Sequence, residues 1–173
     1  MDEVDRMALS SGSEGDPIML ASRRTQNFFN RKIAMFSTPT IKGESRIESA
    51  FEESDRRYYN LKCHACDFQQ VLSWGQVRWE KDHPETAKYH CSECDVEWSD
   101  VQRKKAIRSG EWIATAPFSG TAGFHLSGLY SPWVDIPELA KLFLESKHTG
   151  QQALRVFVNT VLAESWEENE GDG

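Results

Sequence analysis

"LKCHACDFQQVLSW", residues 61–74, and "AKYHCSECDVEW", residues 87–98, decide the fold, because each carries one Cys-x-x-Cys turn. Cys63, Cys66, Cys91 and Cys94 are the only cysteines of the 173-residue chain. In a reducing cytosol disulfides do not persist, whereas two such turns can aim four thiolates at one tetrahedral zinc ion. The spacing therefore predicts a metal site. The alternative is a pair of surface turns with free thiols. Between Cys66 and Cys91 lie 24 residues, more than the usual spacing of roughly 15–20. "EKDHPET" at 80–86 reads as a polar loop that accounts for the excess. The flanking runs "RYYNLKC", "FQQVLSW" and "AKYHC" are aromatic and β-branched, as the short strands of a zinc ribbon would be. His64, His83 and His90 are available as substitute ligands, but with four paired cysteines they are expected outside the ligand set. Four protein ligands leave no coordination position for water or substrate, so the zinc is expected to be structural, and its binding free energy to be folding free energy.

Upstream of the ribbon the pattern is α/β. In "GDPIMLASRRTQNFF", Leu20, Arg24 and Asn27 fall at helical intervals behind a capping Asp16 and a first-turn Pro17, predicting a helix over roughly 17–27. "RKIAMFSTPT" then gives an apolar run, Ile33 to Phe36, that breaks into hydroxyl residues and Pro39. That suits a buried parallel strand, at whose carboxyl end α/β proteins place ligands. Ser37, Thr38 and Thr40 are then candidates to meet a phosphate, although Ser-Thr-Pro turns are also common strand exits. At the start stand Asp2 and Glu3. Adjacent carboxylates of this kind hold Mg²⁺ and polarise attacking water in nucleotide motors; they also occur as solvated chain ends.

Downstream, "WSDVQRKKAIRSGEW" reads as a short helix with Arg103, Lys104, Lys105 and Arg108 on a basic face, either solvated or touching DNA. His125 in "FHLSGLYSPWV" is expected to pack, since no nucleophile or orienting acid accompanies it locally. "DIPELAKLFLESK" opens with an Asp135/Glu138 capping box and carries Leu139, Leu142 and Phe143 as an apolar stripe. A second helix is expected from about Gly150, with Leu154, Phe157, Val158 and Val161 on one side. "SWEENEGDG" at 165–173 has the acidic, Gly-rich composition of a disordered tail; Glu164, Glu167 and Glu168 have no partner pattern that marks a catalytic site.

The net charge of −7 argues against a whole-surface grip on nucleic acid. No apolar run approaches the roughly 18 residues that span a bilayer, and the acidic start is unlike a signal peptide. A soluble, intracellular protein with no membrane partner is expected.

Taken in order, "DEVDRM", "SEGDP", "LASRRT", "KIAMFSTPT", "GESRIESAFEESDRRYY", "CHAC", "CSEC", "GEWIA", "FHLSGLYSPW", "ELAKLFLES" and "FVNTVLAESWEE" resemble the phage terminase large subunit of the lambda-like gpA family over essentially the whole chain. The resemblance implies that Asp2 and Glu3 are the Walker B pair, with Asp2 the Mg²⁺ partner and Glu3 the residue that orients the hydrolytic water. It implies that Ser37, Thr38 and Thr40 form the coupling motif, and that Cys63, Cys66, Cys91 and Cys94 form the zinc ribbon between motor and nuclease regions. Family members cut concatemeric viral DNA and pump it into a procapsid as an oligomeric motor, with ATP and Mg²⁺ as cofactors. Their partners are double-stranded DNA, a small subunit and the portal, in the host bacterial cytoplasm.

The expected fold is an α/β, partial P-loop ATPase layer at 1–58, a small-β zinc ribbon at 59–110, and a helical segment at 111–173 linking toward a nuclease domain. The sequence looks like the middle of a longer polypeptide. No GxxxxGK[ST] loop occurs in it, so the chain alone is expected not to hydrolyse ATP. Residues 1–58 are expected to expose apolar edges and to aggregate. The competing reading is a non-enzymatic zinc-ribbon module that binds nucleic acid or protein.

Overall fold

The computed structural model describes residues 1–10 and 13–168, a mixed α/β arrangement of two small sheets with helices packed around them. The expected tail composition falls partly outside the described residues.

The N-terminal part is held by local devices more than by a core. Asp16 accepts the Ile18 amide at 3.1 Å and caps helix α1 (Pro17–Arg24), with Pro17 at its first position. The helix stops three residues short of the expected end, where Thr25 leaves helical geometry and its hydroxyl donates to the Ser22 carbonyl. Ser45 caps helix α2 (Arg46–Glu52) by accepting the Glu48 amide. Ile33–Phe36 departs from the buried strand expected of it. Phe36 makes a single parallel bridge to Asp2, and Ile33 and Phe36 are 46% and 62% exposed. The parallel direction is present, but among the described residues nothing packs over those side chains as a sheet layer would.

Strand β1 (Arg57–Lys62) organises the first sheet. It pairs antiparallel with β2 (Gln69–Val71) and with β6 (Glu111–Ala114), and parallel with β7 (Phe124–His125). The second sheet is the antiparallel meander β3 (Val77–Glu80), β4 (His83–His90) and β5 (Glu97–Trp98). The polar stretch 80–86 is therefore no open loop. Glu80 faces His83 across a two-residue turn, Lys81-Asp82, in which Asp82 takes the left-handed conformation at φ 65°. Asp tolerates that region better than most residues, and strand pairing consumes the charged residues on either side.

One core joins both sheets to the C-terminal helices. It contains Leu61, Leu72, Val77, Tyr89 and Trp98 from the ribbon and Leu129, Ile136, Leu139 and Ala140 from beyond it. Each of the Leu, Val and Ile side chains among them contributes roughly 1.5–3 kcal/mol on burial. Tyr130 pins the layers together: its hydroxyl donates to the Tyr59 carbonyl at 2.6 Å and accepts the Leu72 amide at 2.8 Å. Gly110 is required where β6 begins, since a Cβ there would lie 2.5 Å from Leu61 and 2.6 Å from Tyr59.

Helix α3 (Asp100–Arg108) starts with a Ser99/Gln102 capping box. Its basic cluster is not uniformly solvated. Arg103 is fully buried, donating to the carbonyls of Leu129, Ser131 and Val134 and pairing with Asp100 at 2.8 Å. A guanidinium's five donors suit such a cage, which an ammonium could not fill. Helix α4 (Ile136–Thr149) has the expected Asp135/Glu138 box. Leu139 is buried, whereas Leu142 is 42% exposed, so the stripe is carried by Ile136, Leu139 and Ala140, with the Phe143 ring tilted against Trp74 and edge-on to Phe157. Helix α5 (Gln151–Phe157) passes into a π turn over Val158–Leu162, closed by Ala163 at φ 55°.

Candidate functional site

The two Cys-x-x-Cys turns are built alike. In each, the first cysteine donates its amide to a carbonyl five residues on: Cys63 to Phe68 at 2.9 Å and Cys91 to Val96 at 3.0 Å. Each first cysteine's carbonyl accepts the amide of an aspartate four residues on, Asp67 or Asp95, at 3.1 Å. Both aspartates are left-handed, at φ 57° and 60°. Ala65 and Glu93 then donate their amides to Cys63 Sγ and Cys91 Sγ, each at 3.4 Å. The sequence signal for this is the repeated C-x-x-C-D.

The turns face each other. All four sulfurs lie within 4.8 Å of one another, and the Cys63–Cys94 and Cys66–Cys91 separations are both 3.8 Å. A regular tetrahedron of sulfurs about 2.3 Å from a central ion has edges of about 3.8 Å, so the donor set fits a tetrahedral cation. Cys63 and Cys91 are buried, Cys66 and Cys94 exposed.

The clustered thiols differ in acidity. Burial opposes ionisation of Cys91, but the amides of Cys94 and Glu93 and the Gln70 carboxamide outweigh it and lower the thiol to about 6. The Phe68 amide favours a thiolate at Cys66, yet desolvation and the neighbouring sulfurs prevail and push that thiol up to about 12.

Gln70, a residue the sequence did not single out, braces the cluster. It is buried, donates Nε2 to Cys91 Sγ at 3.2 Å, and accepts from the Ser92 amide and hydroxyl and from the Tyr89 hydroxyl. Outer partners of this kind orient metal ligands. The histidines lie elsewhere. His64 stands edge-on to Trp98, His83 pairs with Glu85 at 2.8 Å, and His90 approaches the Asp95 carbonyl. His125 packs against Phe51 and Tyr58 with Nε2 2.9 Å from the Ala163 carbonyl.

A second constellation forms around the N-terminus. Met1–Val4 runs parallel to Ala34–Phe36: the Met1 amine donates to the Ala34 carbonyl at 2.7 Å, Phe36 to Met1 at 2.9 Å, and Val4 to Phe36 at 3.3 Å. Asp2 thereby bridges Phe36, the residue before Ser37. Asp2 and Glu3 are both exposed. Asp2 Oδ1 accepts the Glu3 amide at 3.0 Å, and Glu3 pairs with Arg6 at 2.9 Å. Glu3 is left-handed at φ 52°, a conformation that costs a non-glycine residue roughly 1–3 kcal/mol and that clusters at functional sites. Asp5, also not foreseen, links the pieces: its amide donates to Ser37 Oγ at 3.3 Å, and its carboxylate accepts the Thr40 hydroxyl at 3.0 Å and the Ile47 amide at 2.7 Å. Thr38 contributes its carbonyl, which the Ser37 hydroxyl meets at 2.9 Å. These groups offer carboxylates and hydroxyls; the backbone cradle for a triphosphate is not among them, in keeping with the missing glycine-rich loop.

Of the downstream acids, Glu167 pairs with Lys42 and Glu168 with Arg155, so they act as surface ion pairs. No helix among the described residues is long and apolar enough to cross a membrane.

Comparison with known proteins agrees with the motif order. Residues 1–112 match the sequence model of the phage terminase large subunit gpA ATPase domain, and residues 121–173 match that of the terminase large subunit gpA endonuclease domain. The chain is 28% identical to the terminase large subunit of Enterobacteria phage P21, over 99% of its own length and 30% of the relative's. It is 27% identical to the terminase large subunit of Escherichia phage lambda, over 92% of its length and 28% of the relative's. The chain thus spans under a third of these relatives. No solved structure matches it. With the ATPase-domain match covering most of the chain and the nuclease-domain match following it, the protein belongs to the lambda-like phage terminase large subunit family.

Proposed function

We propose that the chain is the joining segment of a viral terminase large subunit, the enzyme that packages DNA into procapsids at the expense of ATP and cuts concatemeric DNA endonucleolytically. The observation that supports this reading is the parallel pairing of Met1–Val4 with Ala34–Phe36, from which Asp5 reaches Ser37 and Thr40. Residues 1–58 are the C-terminal part of the motor, 59–110 the ribbon, and 111–173 the helical link toward the nuclease.

In the working protein Asp2 holds Mg²⁺, Glu3 orients the attacking water, and Ser37, Thr38 and Thr40 couple the loss of the γ-phosphate to movement of DNA. ATP supplies the phosphoryl group whose hydrolysis drives translocation. Cys63, Cys66, Cys91 and Cys94 hold a structural zinc, a role that the 3.8 Å sulfur spacing supports. Double-stranded viral DNA, the terminase small subunit and the procapsid portal are the partners, met in the host bacterial cytoplasm by an oligomeric motor.

By itself the chain lacks the phosphate loop and should not turn over ATP. The test is to read the coding DNA on either side and to assay the purified chain. A glycine-rich phosphate loop upstream, a carboxylate-rich nuclease region downstream and no ATP turnover by the chain alone are expected. Unrelated genes on both sides would overturn the motor reading and leave a zinc-ribbon module; turnover by the isolated chain would overturn its inactivity.

A further inference from the structure

Thr40 is tied on both sides to segments far away in sequence. Its hydroxyl donates to Asp5 Oδ2 at 3.0 Å, 35 residues away. Its carbonyl accepts two donors from the C-terminal part, Asn159 Nδ2 at 2.8 Å, 119 residues away, and the Trp166 amide at 2.8 Å. Lys42 returns the contact by donating its amide to the Trp166 carbonyl at 3.0 Å, so that Ile41 and Trp166 form a parallel bridge.

Neither end of this connection is loose. Asp5 sits two residues beyond Glu3, and its other carboxylate oxygen accepts the Ile47 amide in the first turn of α2. Asn159 is only 8% exposed. It lies inside the π turn and spends its second amide hydrogen on the Glu164 carbonyl at 2.8 Å, which shapes the Ala163–Trp166 bend. π turns interrupt α-helices frequently at functional positions. A buried carboxamide with both hydrogens committed fixes its carbonyl partners together, because leaving a buried donor unmade is costly.

We propose that Thr40 is the junction joining the Asp2–Glu3 loop to the nuclease-side segment at 159–167, with Asp5 and Asn159 as its positioning residues. Asp5 holds the hydroxyl side and Asn159 the carbonyl side, so a displacement of the loop after Glu3 shifts the Thr40 peptide and with it the Trp166 backbone. This rests on the reading of Asp2 and Glu3 as nucleotide-site residues only for its functional half; the connection itself is a property of this chain.

The test has two arms. In the purified chain, amide hydrogen exchange is followed by NMR in Thr40→Val, Thr40→Ser and Asp5→Ala. Thr40→Val removes only the hydroxyl, leaving the carbonyl that Trp166 uses. It should speed exchange at Trp166 and Ile47 by about tenfold, while Cys63 and Cys91 in the ribbon exchange at the parent rate; Thr40→Ser should restore both. General destabilisation would instead accelerate all four amides, and that outcome overturns the proposal, as does unchanged exchange at Trp166. In a terminase polypeptide that carries this segment with its phosphate loop, Thr40→Val and Asn159→Ala should lower kcat for ATP by about tenfold with KM held, since the junction acts on the step rather than on binding. An unchanged kcat overturns the coupling. Asp2→Asn in the same polypeptide separates the two ideas: if it leaves ATP turnover intact, the nucleotide-site reading has failed, whatever the exchange rates at Trp166 say about the junction.

Discussion

Residues 57–162 and residues 1–56 make opposite use of their apolar side chains. The first region buries Leu61, Leu72, Val77, Tyr89, Trp98, Leu129, Ile136 and Leu139 in one cluster with Cys63 and Cys91, and Phe157 beside Trp74 and Phe143. In the second, only Val4 and Pro39 are buried apolar side chains among the described residues, while Leu9, Met19, Phe28, Phe29, Ile33 and Phe36 are exposed. Caps and hydrogen bonds from Asp5, Asp16 and Ser45 shape that region instead. Residues 57–162 therefore share a core of their own, and the N-terminal region leaves most of its large apolar side chains exposed.

The contrast can be broken most forcefully at the cysteine cluster. Stripping the zinc proposed there with a chelator, or introducing Cys91→Ser, should abolish cooperative unfolding of the ribbon region, because structural zinc contributes roughly 10–16 kcal/mol in small modules. Circular dichroism on heating reads this directly, and a retained sharp transition would show that the core suffices without the ion. Arg103→Ala comes next. It strands the carbonyls of Leu129, Ser131 and Val134 and the Asp100 carboxylate, at a cost of about 3–5 kcal/mol measurable by urea denaturation. Gln70→Ala should leave the fold in place and weaken metal binding by about 10–100-fold, as seen by competition with a chromophoric chelator.

Acid sensitivity sharpens the boundary between the regions. Asp55, its side chain 1% exposed, accepts Arg57 Nε at 2.8 Å and the Gly123 amide at 3.1 Å. The Arg57 hydrogen bond first, then the Gly123 amide, outweigh burial and hold its carboxyl below the ordinary value. A depressed folded pKa gives stability that is present above the unfolded value near 3.9 and is lost as pH falls through the folded one. Asp55→Asn should therefore be less stable at neutral pH and show a flatter acid limb in a pH series of thermal melts. The smallest effect is expected from Phe29→Ser, whose parent side chain is fully exposed. Stability should stay within about 0.5 kcal/mol, while self-association in sedimentation should diminish; a large loss of stability would mean that the N-terminal region has a core after all.

The parts legible in the sequence were those that local chemistry fixes. Cys-x-x-Cys spacing named the four sulfurs, Asp16-Pro17 named the start of α1, and the Asp135/Glu138 box named the start of α4. What escaped depended on partners distant along the chain. Arg103 looked like one more solvated base, since its acceptors lie at Leu129, Ser131 and Val134. Gln70 carries no motif of its own and gains its role only when Cys91 and Ser92 arrive opposite it. Ile33–Phe36 read as a buried strand because apolar runs do so when a layer covers them, and no such layer packs on it among the described residues. The polar stretch 80–86 was misjudged as loop because its hairpin turn relies on Asp82 rather than on glycine.

The most direct test of the account is X-ray absorption at the zinc edge, with metal analysis, on the purified chain. One zinc per chain with four sulfur neighbours at about 2.3 Å is the predicted result. A well-folded protein without stoichiometric metal, or a shell containing nitrogen or oxygen, would contradict the claim that Cys63, Cys66, Cys91 and Cys94 together hold the middle of this molecule.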